Sequence, residues 1–222
     1  GLIYIIGFSW AVYSMPDMRA IANSLLAGAG ILAVAVGFAS QHALSNIISG
    51  IFIIIFKPFR VNDRLRFQNS LQGMVEDITL RHVVLRDFEN RRILIPNSVI
   101  SEEVIINSDF GDDKICKWLE CSLGYETDIE RVKAIIKEEA MSHPNLMDNR
   151  TPAENADGVP LIRIRITELG ENGFRIRAYL WSEDNASAFA MGCDLMERLI
   201  GRFQAEGIAF AYPQRMVSIQ KK

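Results

Sequence analysis

Three histidines and three cysteines are the side chains of this 222-residue chain best suited to bond-making or metal chemistry. Cys116, Cys121 and Cys193 have neither zinc-ligand spacing nor the even number of a disulfide framework. Cys116 and Cys121 can be read as a pair or as idle thiols, and idle thiols suit a reducing compartment. His82 and His143 have no nucleophile or metal ligand close in sequence, and His42 stands in an apolar run with no His or carboxylate beside it. No GxSxG, HExxH, P-loop or GxGxxG word occurs, and "GAG" at 28–30 is too short for a phosphate loop. The acidic residues are scattered, as on solvated faces. These residue types point away from an enzyme, and neither a metal nor a cofactor is expected. One polar pattern remains. Arg163, Arg165, Arg175 and Arg177 alternate along two strand-like words, as a solvated sheet face or as a basic lining that tunes the passage of anions.

The elements that would carry these residues divide sharply by charge. The net charge is only -3, yet 49 of the 51 charged residues lie from Lys57 onward, leaving Asp17 and Arg19 before it. The chain is an apolar quarter joined to a polar three quarters. No basic stripe interleaved with aromatic residues is present, so nucleic acid is not an expected partner. The first residues, "GLIYIIGFSWAVYSMP", lack the basic start and small-residue cleavage site of a signal peptide. We read Gly1 as a cut through a longer protein whose upstream part holds more membrane helix.

Gly1 to Ser14 is an incomplete membrane crossing, "MPDMR" with Pro16 and Asp17 a polar turn, and Ala20 to Ser40 a full crossing by length. The second segment is rich in small residues: Ala27, Gly28, Ala29, Gly30, Ala33, Ala35, Gly37 and Ala39. Small residues let membrane helices approach closely. Two readings follow, a tightly packed helix in an ordinary bundle or a helix packed against copies of itself around an axis. Ile31, Val34 and Phe38 recur at spacings of three and four and share one face, flanked by the small residues. In a ring, Val34 and Phe38 would point into the lumen.

"SQHALSN" then interrupts the run. A straight helix to Phe56 would span roughly 55 Å, well beyond a hydrocarbon core of about 30 Å. A bend near Gln41 to Ala43 is therefore expected, followed by an amphipathic helix from Leu44 to Phe56 with Ser45, Asn46 and Ser49 on one side. His42 is read as a hinge residue near water. Lys57, Arg60, Arg64 and Arg66 follow at once, and the positive-inside rule places this end and all that follows in the cytoplasm.

The words "DRLRFQ", "GMVEDITL", "HVVLRDF" and "RILIPN" predict strands of a small β domain, separated by turn residues such as Asn69, Gly73 and Asn90, with Pro96 and Asn97 ending the last strand. Beyond Lys114, "ICKWLECSLG" predicts a strand. Thr127 to Glu130 reads as a capping box. Ile129, Val132, Ile135, Ile136 and Ala140 then form a helical face. "LIRIRITEL" and "GFRIRAYLW" predict a hairpin with Ile162, Ile164 and Ile166 facing Phe174, Ile176, Ala178 and Leu180. Asn185 to Ala205 predicts a helix with Ala188, Met191, Leu195, Leu199 and Phe203 inward and Gly207 at its C-cap. The order β-α-β-β-α fits a ferredoxin-like split βαβ. "MVSIQ" is one more short strand that wants partners from elsewhere.

The words "AVGFASQHALSNIISGIFIIIFKPFRVND", "GMVEDI", "ILIPNSVI", the run Val104 to Ser108 and "FAYPQ" occur in one order over nearly the whole chain. This series resembles the small-conductance mechanosensitive channel (MscS) family, the first word matching its third transmembrane helix. The resemblance implies a tension-opened ion channel that releases ions and small osmolytes under hypoosmotic stress. It implies a homoheptamer in lipid, seven Gly/Ala-rich helices lining a pore, and a multi-pass protein of a bacterial-type plasma membrane. Val34 and Phe38 would form the hydrophobic gate, Ala27 and Ile31 the pore lining above it, and Gly30, Ala33, Ala35 and Gly37 the helix contacts. Gln41 and His42 would be the hinge, where many relatives carry Gly. The implied architecture is a membrane pore segment (1–56), a small β, Sm-like domain (57–112), an α+β ferredoxin-like cytoplasmic domain (113–212) and a terminal barrel strand (213–222). The alternatives are a membrane-anchored ligand-sensing module without conduction and a transporter with a defined substrate; a transporter would usually carry an intramembrane ionisable pair, and none follows Arg19.

Overall fold

Apolar composition without proline produces the longest element. In the computed structural model, which describes residues 1–15, 19–68 and 71–215, helix α1 spans Leu2–Tyr13 and helix α2 runs unbroken over Arg19–Phe56. The expected interruption at "SQHALSN" does not end the helix. Gln41 and His42 lie inside it, and Asn46 Nδ2 donates to the His42 carbonyl one turn back at 2.8 Å, so the polar side chains support the helical ladder. The expected polar turn at Pro16 and Asp17, the turn residue Asn69 and the strand "MVSIQ" fall outside the described residues.

The chain forms two units, 1–107 and 108–222. In the first, strands β1 (Arg64–Phe67), β2 (Gln72–Ile78), β3 (His82–Arg86), β4 (Arg92–Pro96) and β5 (Ile105–Asn107) form one antiparallel sheet in the order β4-β3-β2-β1-β5. Alternation sends Leu65, Phe67, Val75, Val83, Leu85 and Ile95 to one buried face. Ile53 from α2, Phe59 and Ile100 complete that core. Ile100 belongs to a short helix, α3 (Asn97–Glu102), that strand periodicity does not announce. Gly73, expected in a turn, stands within β2 opposite Leu65. Asn90 is a turn residue, with φ +66°.

In the second unit, β6 (Ile115–Leu123), β7 (Arg163–Gly170) and β8 (Gly173–Ser182) form a sheet of order β6-β8-β7, both pairs antiparallel. Helices α4 (Ile129–Met141) and α6 (Asn185–Ala205) cover one face, burying Val132, Ile135, Ile136 and Ala140 with Met191, Leu195, Leu199 and Phe203. The α4 cap differs from expectation. Asp128, not Thr127, is the N-cap, and its carboxylate accepts from the amides of Glu130 and Arg131. The capping box lies instead at Thr151 and Glu154, opening the short helix α5 (Pro152–Ala156). Helix α6 ends in a Schellman turn, in which Ile208 N donates to Phe203 O and Gly207 N to Gln204 O with Gly207 at φ +69°. In the β7–β8 hairpin, Ile162 is buried and Ile164 packs on the core, but Ile166, opposite Ile176 on the edge strand, is exposed, and a bulge follows it before Glu168.

Candidate functional site

Every candidate side chain of α2 from Ala27 to His42 is exposed within the chain. No neighbour lies within 4 Å of where a Cβ on Gly28, Gly30 or Gly37 would stand. The apolar residues Ile31, Val34 and Phe38 are 73%, 58% and 70% exposed. The helix from Ala20 to Phe56 has a mean hydropathy of 2.0 in its most apolar window and is almost wholly uncovered there. Val34, Phe38, Gln41, Leu44, Ile48 and Phe52, all from α2, line one shallow concavity of about 620 Å³. The expected gate pair and one expected hinge residue thus share one surface. His42 lies outside that lining.

Below this surface, α2 is joined to the β sheet by a polar knot that sequence reasoning missed. Asn97 is 0% exposed. Its Nδ2 donates to Thr79 O at 3.0 Å and to Asn46 O on α2 at 3.3 Å. In return, Asn46 Oδ1 accepts from Ser98 N and Ser98 Oγ, each at 3.0 Å. One turn further, a Cβ on Gly50 would stand 2.4 Å from Asn97 Nδ2 and 2.6 Å from Leu80 O. Only glycine lets the helix approach this closely. Another turn on, Ile53 enters the sheet's core. The face Asn46–Gly50–Ile53 is therefore a docking face. The signal was present as a polar Asn in an apolar run and as the "IPN" word, read there as a strand end only.

The other candidates serve structure. His143 is buried; its Nδ1 accepts from Asn145 N at 3.1 Å, leaving Nε2 to donate to Asp194 Oδ2 at 3.2 Å. Asp194 is a neighbour that sequence distance concealed. His82 Nδ1 lies 3.2 Å from Thr79 Oγ1. Among the described residues, no three His, Cys, Asp or Glu side chains converge as a metal site. The three cysteines are free thiols, and burial pushes Cys121 up to about 11. Of the four arginines, Arg163 pairs with Glu154, Arg175 with Glu168 and Arg177 with Glu120, while the Arg177 guanidinium lies 4.0 Å from the Trp118 ring centre. Arg150 pairs with Asp148, and its hydrogen bonds hold that carboxyl down to about 2.

A concave apolar face on a membrane-length helix, docked on a β sheet that precedes an α+β unit, is an architecture with known counterparts. Residues 42–109 match the mechanosensitive ion channel β-domain family, and residues 119–210 match the C-terminal domain of the mechanosensitive ion channel MscS. The small-conductance mechanosensitive channel MscMJ of Methanocaldococcus jannaschii is 28% identical over 204 residues, which are 90% of this chain and 54% of that protein. The large-conductance channel MscMJLR of the same organism is 37% identical over 132 residues, 57% of this chain and 35% of that one. The closed-state crystal structure of Helicobacter pylori MscS superposes with a TM-score of 0.77 at 25% identity, covering 90% of this chain and 74% of that chain. The chain belongs to the MscS family of mechanosensitive ion channels, membrane proteins that are channels and not enzymes.

Proposed function

We propose that this chain forms the pore and the cytoplasmic vestibule of a tension-gated channel, assembled as a homoheptamer in a bacterial-type plasma membrane. The observation that carries the reading is the uncovered face of α2, where Val34 and Phe38 stand one turn apart among Gly and Ala residues. Copies of α2 meet through Gly30, Ala33, Ala35 and Gly37, as small residues permit. Ala27 and Ile31 line the pore above two apolar rings made by Val34 and Phe38. A narrow apolar ring excludes water and ions without a solid plug.

Lateral tension favours whichever state occupies more membrane area, because it does work as the area grows. The helices tilt apart, the rings widen, the pore wets, and ions and small osmolytes leave. Gln41 lies on the same surface as Val34 and Phe38, and we take Gln41 and His42 as the hinge. The knot at Asn46, Asn97 and Gly50 passes the motion to the β domain. We take residues 57–112 as Sm-like, 113–212 as ferredoxin-like and 213–222 as a barrel strand shared among subunits. The antiparallel order β6-β8-β7 with two helices on one face supports the second assignment. Further upstream helices would make the protein multi-pass, with lipid as its working partner and both β-containing domains in the cytoplasm.

Patch recording from liposomes under a suction ramp tests the proposal. Discrete, reversible openings that require tension are expected, absent from protein-free patches. Val34→Ser or Phe38→Ser should lower the opening tension or cause leak, because a hydroxyl ring wets more readily than an apolar one. Unchanged thresholds in both variants would move the gate elsewhere. Silence up to lysis from inserted, oligomeric protein would favour an anchored ligand sensor.

A further inference from the structure

The helix-free face of the sheet in the second unit carries a cavity outside the α2 surface described above. Register places Cys116 beside Trp181, Arg163 beside Tyr179 and Arg165 beside Arg177 on that face. The segment 149–161 walls one side of an open cleft of about 520 Å³. Small-molecule sites have volumes of roughly 300–1,000 Å³. The lining combines two flat rings, Tyr179 and Trp181, with three guanidiniums, Arg150, Arg163 and Arg165, against one carboxylate, Glu154.

The charges in this space are unequally satisfied. Arg150 is engaged by Asp148 at 2.7 Å and by the Val159 carbonyl at 2.9 Å, and Arg163 shares Glu154 at 2.5 Å. Arg165 has no ion-pair partner among the described residues. It stands opposite Arg177, whose own charge is met by Glu120 and by the face of Trp118, so Arg165 is the guanidinium of this space left to take an arriving anion. Guanidinium forks suit phosphate oxygens, and aromatic faces stack on planar bases.

We propose that this cavity binds a small anion bearing a planar ring, of the nucleoside monophosphate class, with Arg163 and Arg165 on the phosphate and Tyr179 and Trp181 against the base. The site lies wholly within the second unit.

Calorimetric titration of the purified whole chain in detergent micelles tests this, with AMP, adenosine and inorganic phosphate as probes. AMP should bind at least tenfold more tightly than adenosine or phosphate. Arg165→Gln, at an exposed position, should leave the circular dichroism unchanged and weaken AMP about ten- to hundredfold, the usual worth of a charge-assisted contact. Arg175→Gln removes an equal charge from the same face outside the cavity and should leave AMP binding unchanged. The proposal is overturned if none of the probes binds or if Arg175→Gln weakens AMP as much as Arg165→Gln does. Phosphate or adenosine matching AMP would overturn it as well, in favour of a bare anion site or a plain aromatic cleft.

Discussion

At the scale of single residues, burial rather than residue type decides reactivity. Cys193 is exposed, whereas Cys121 lies on β6 against the core of the second unit, with its thiol pushed up to about 11. Thiolate, not thiol, attacks alkylating reagents. Iodoacetamide at pH 8 should therefore label Cys193 first and leave Cys121 nearly untouched, as read by peptide mass spectrometry. Equal labelling of the two would contradict the burial. The sign for stability follows the same shift. A folded thiol raised above its ordinary 9.0 keeps its stabilising share below about pH 9 and loses it as pH climbs toward about 11. His143 was legible as a residue without sequence neighbours, but Asp194, fifty-one positions away, became its partner only through the packing of α6.

At the scale of elements, two joints make opposed predictions for neighbouring residues. Asp128→Ala should cost about 1 kcal/mol by thermal unfolding, the usual loss of an N-cap, whereas Thr127→Ala should cost little, because Thr127 makes no cap bond. The reverse ranking would restore the capping box expected at Thr127. At the α2–sheet joint, Gly50→Ala places a methyl into the Leu80 carbonyl and the Asn97 amide, and overpacking of this kind costs about 1–3 kcal/mol. Asn46→Ala instead leaves the Ser98 amide without its acceptor, a loss of similar size. Both changes should speed hydrogen exchange of the amides in α3 while leaving those of β6–β8 as they were. Unchanged exchange in α3 would mean that the joint is not carrying load. The strands and the helix Asn185–Ala205 were legible because period two and period 3.6 are local signals. Helix α3, strand β5 and the joint were not, since each depends on what stands across from it.

At the scale of the whole molecule, α2 is an element that one chain leaves unsatisfied. A Cβ at Gly37 would meet nothing within 4 Å in the chain. Gly37→Leu should therefore leave intrachain packing intact. If copies of α2 pack through this face, the same change should raise the opening tension or reduce assembly, measured by suction threshold and by native mass spectrometry in detergent. A variant with normal threshold and normal assembly would remove this face from the subunit contact. The contrast between a silent intrachain environment and a sensitive assembly is what identifies a contact between chains.

Composition and spacing by themselves determined that an uncharged, small-residue helix precedes two polar β-containing units, because hydrophobicity and periodicity are properties of neighbouring residues. They also determined which residues share the apolar stripe of α2, since helical geometry alone sets that. Tertiary structure alone decided that α2 continues through Gln41 and His42, that Asn46, Gly50 and Ile53 turn toward the sheet, and that Arg165 shares one cavity with Tyr179 and Trp181. The physical reason is distance along the chain. Asn97 reaches a carbonyl fifty-one residues before it, and a hydrogen bond of that kind leaves no periodic trace in either segment.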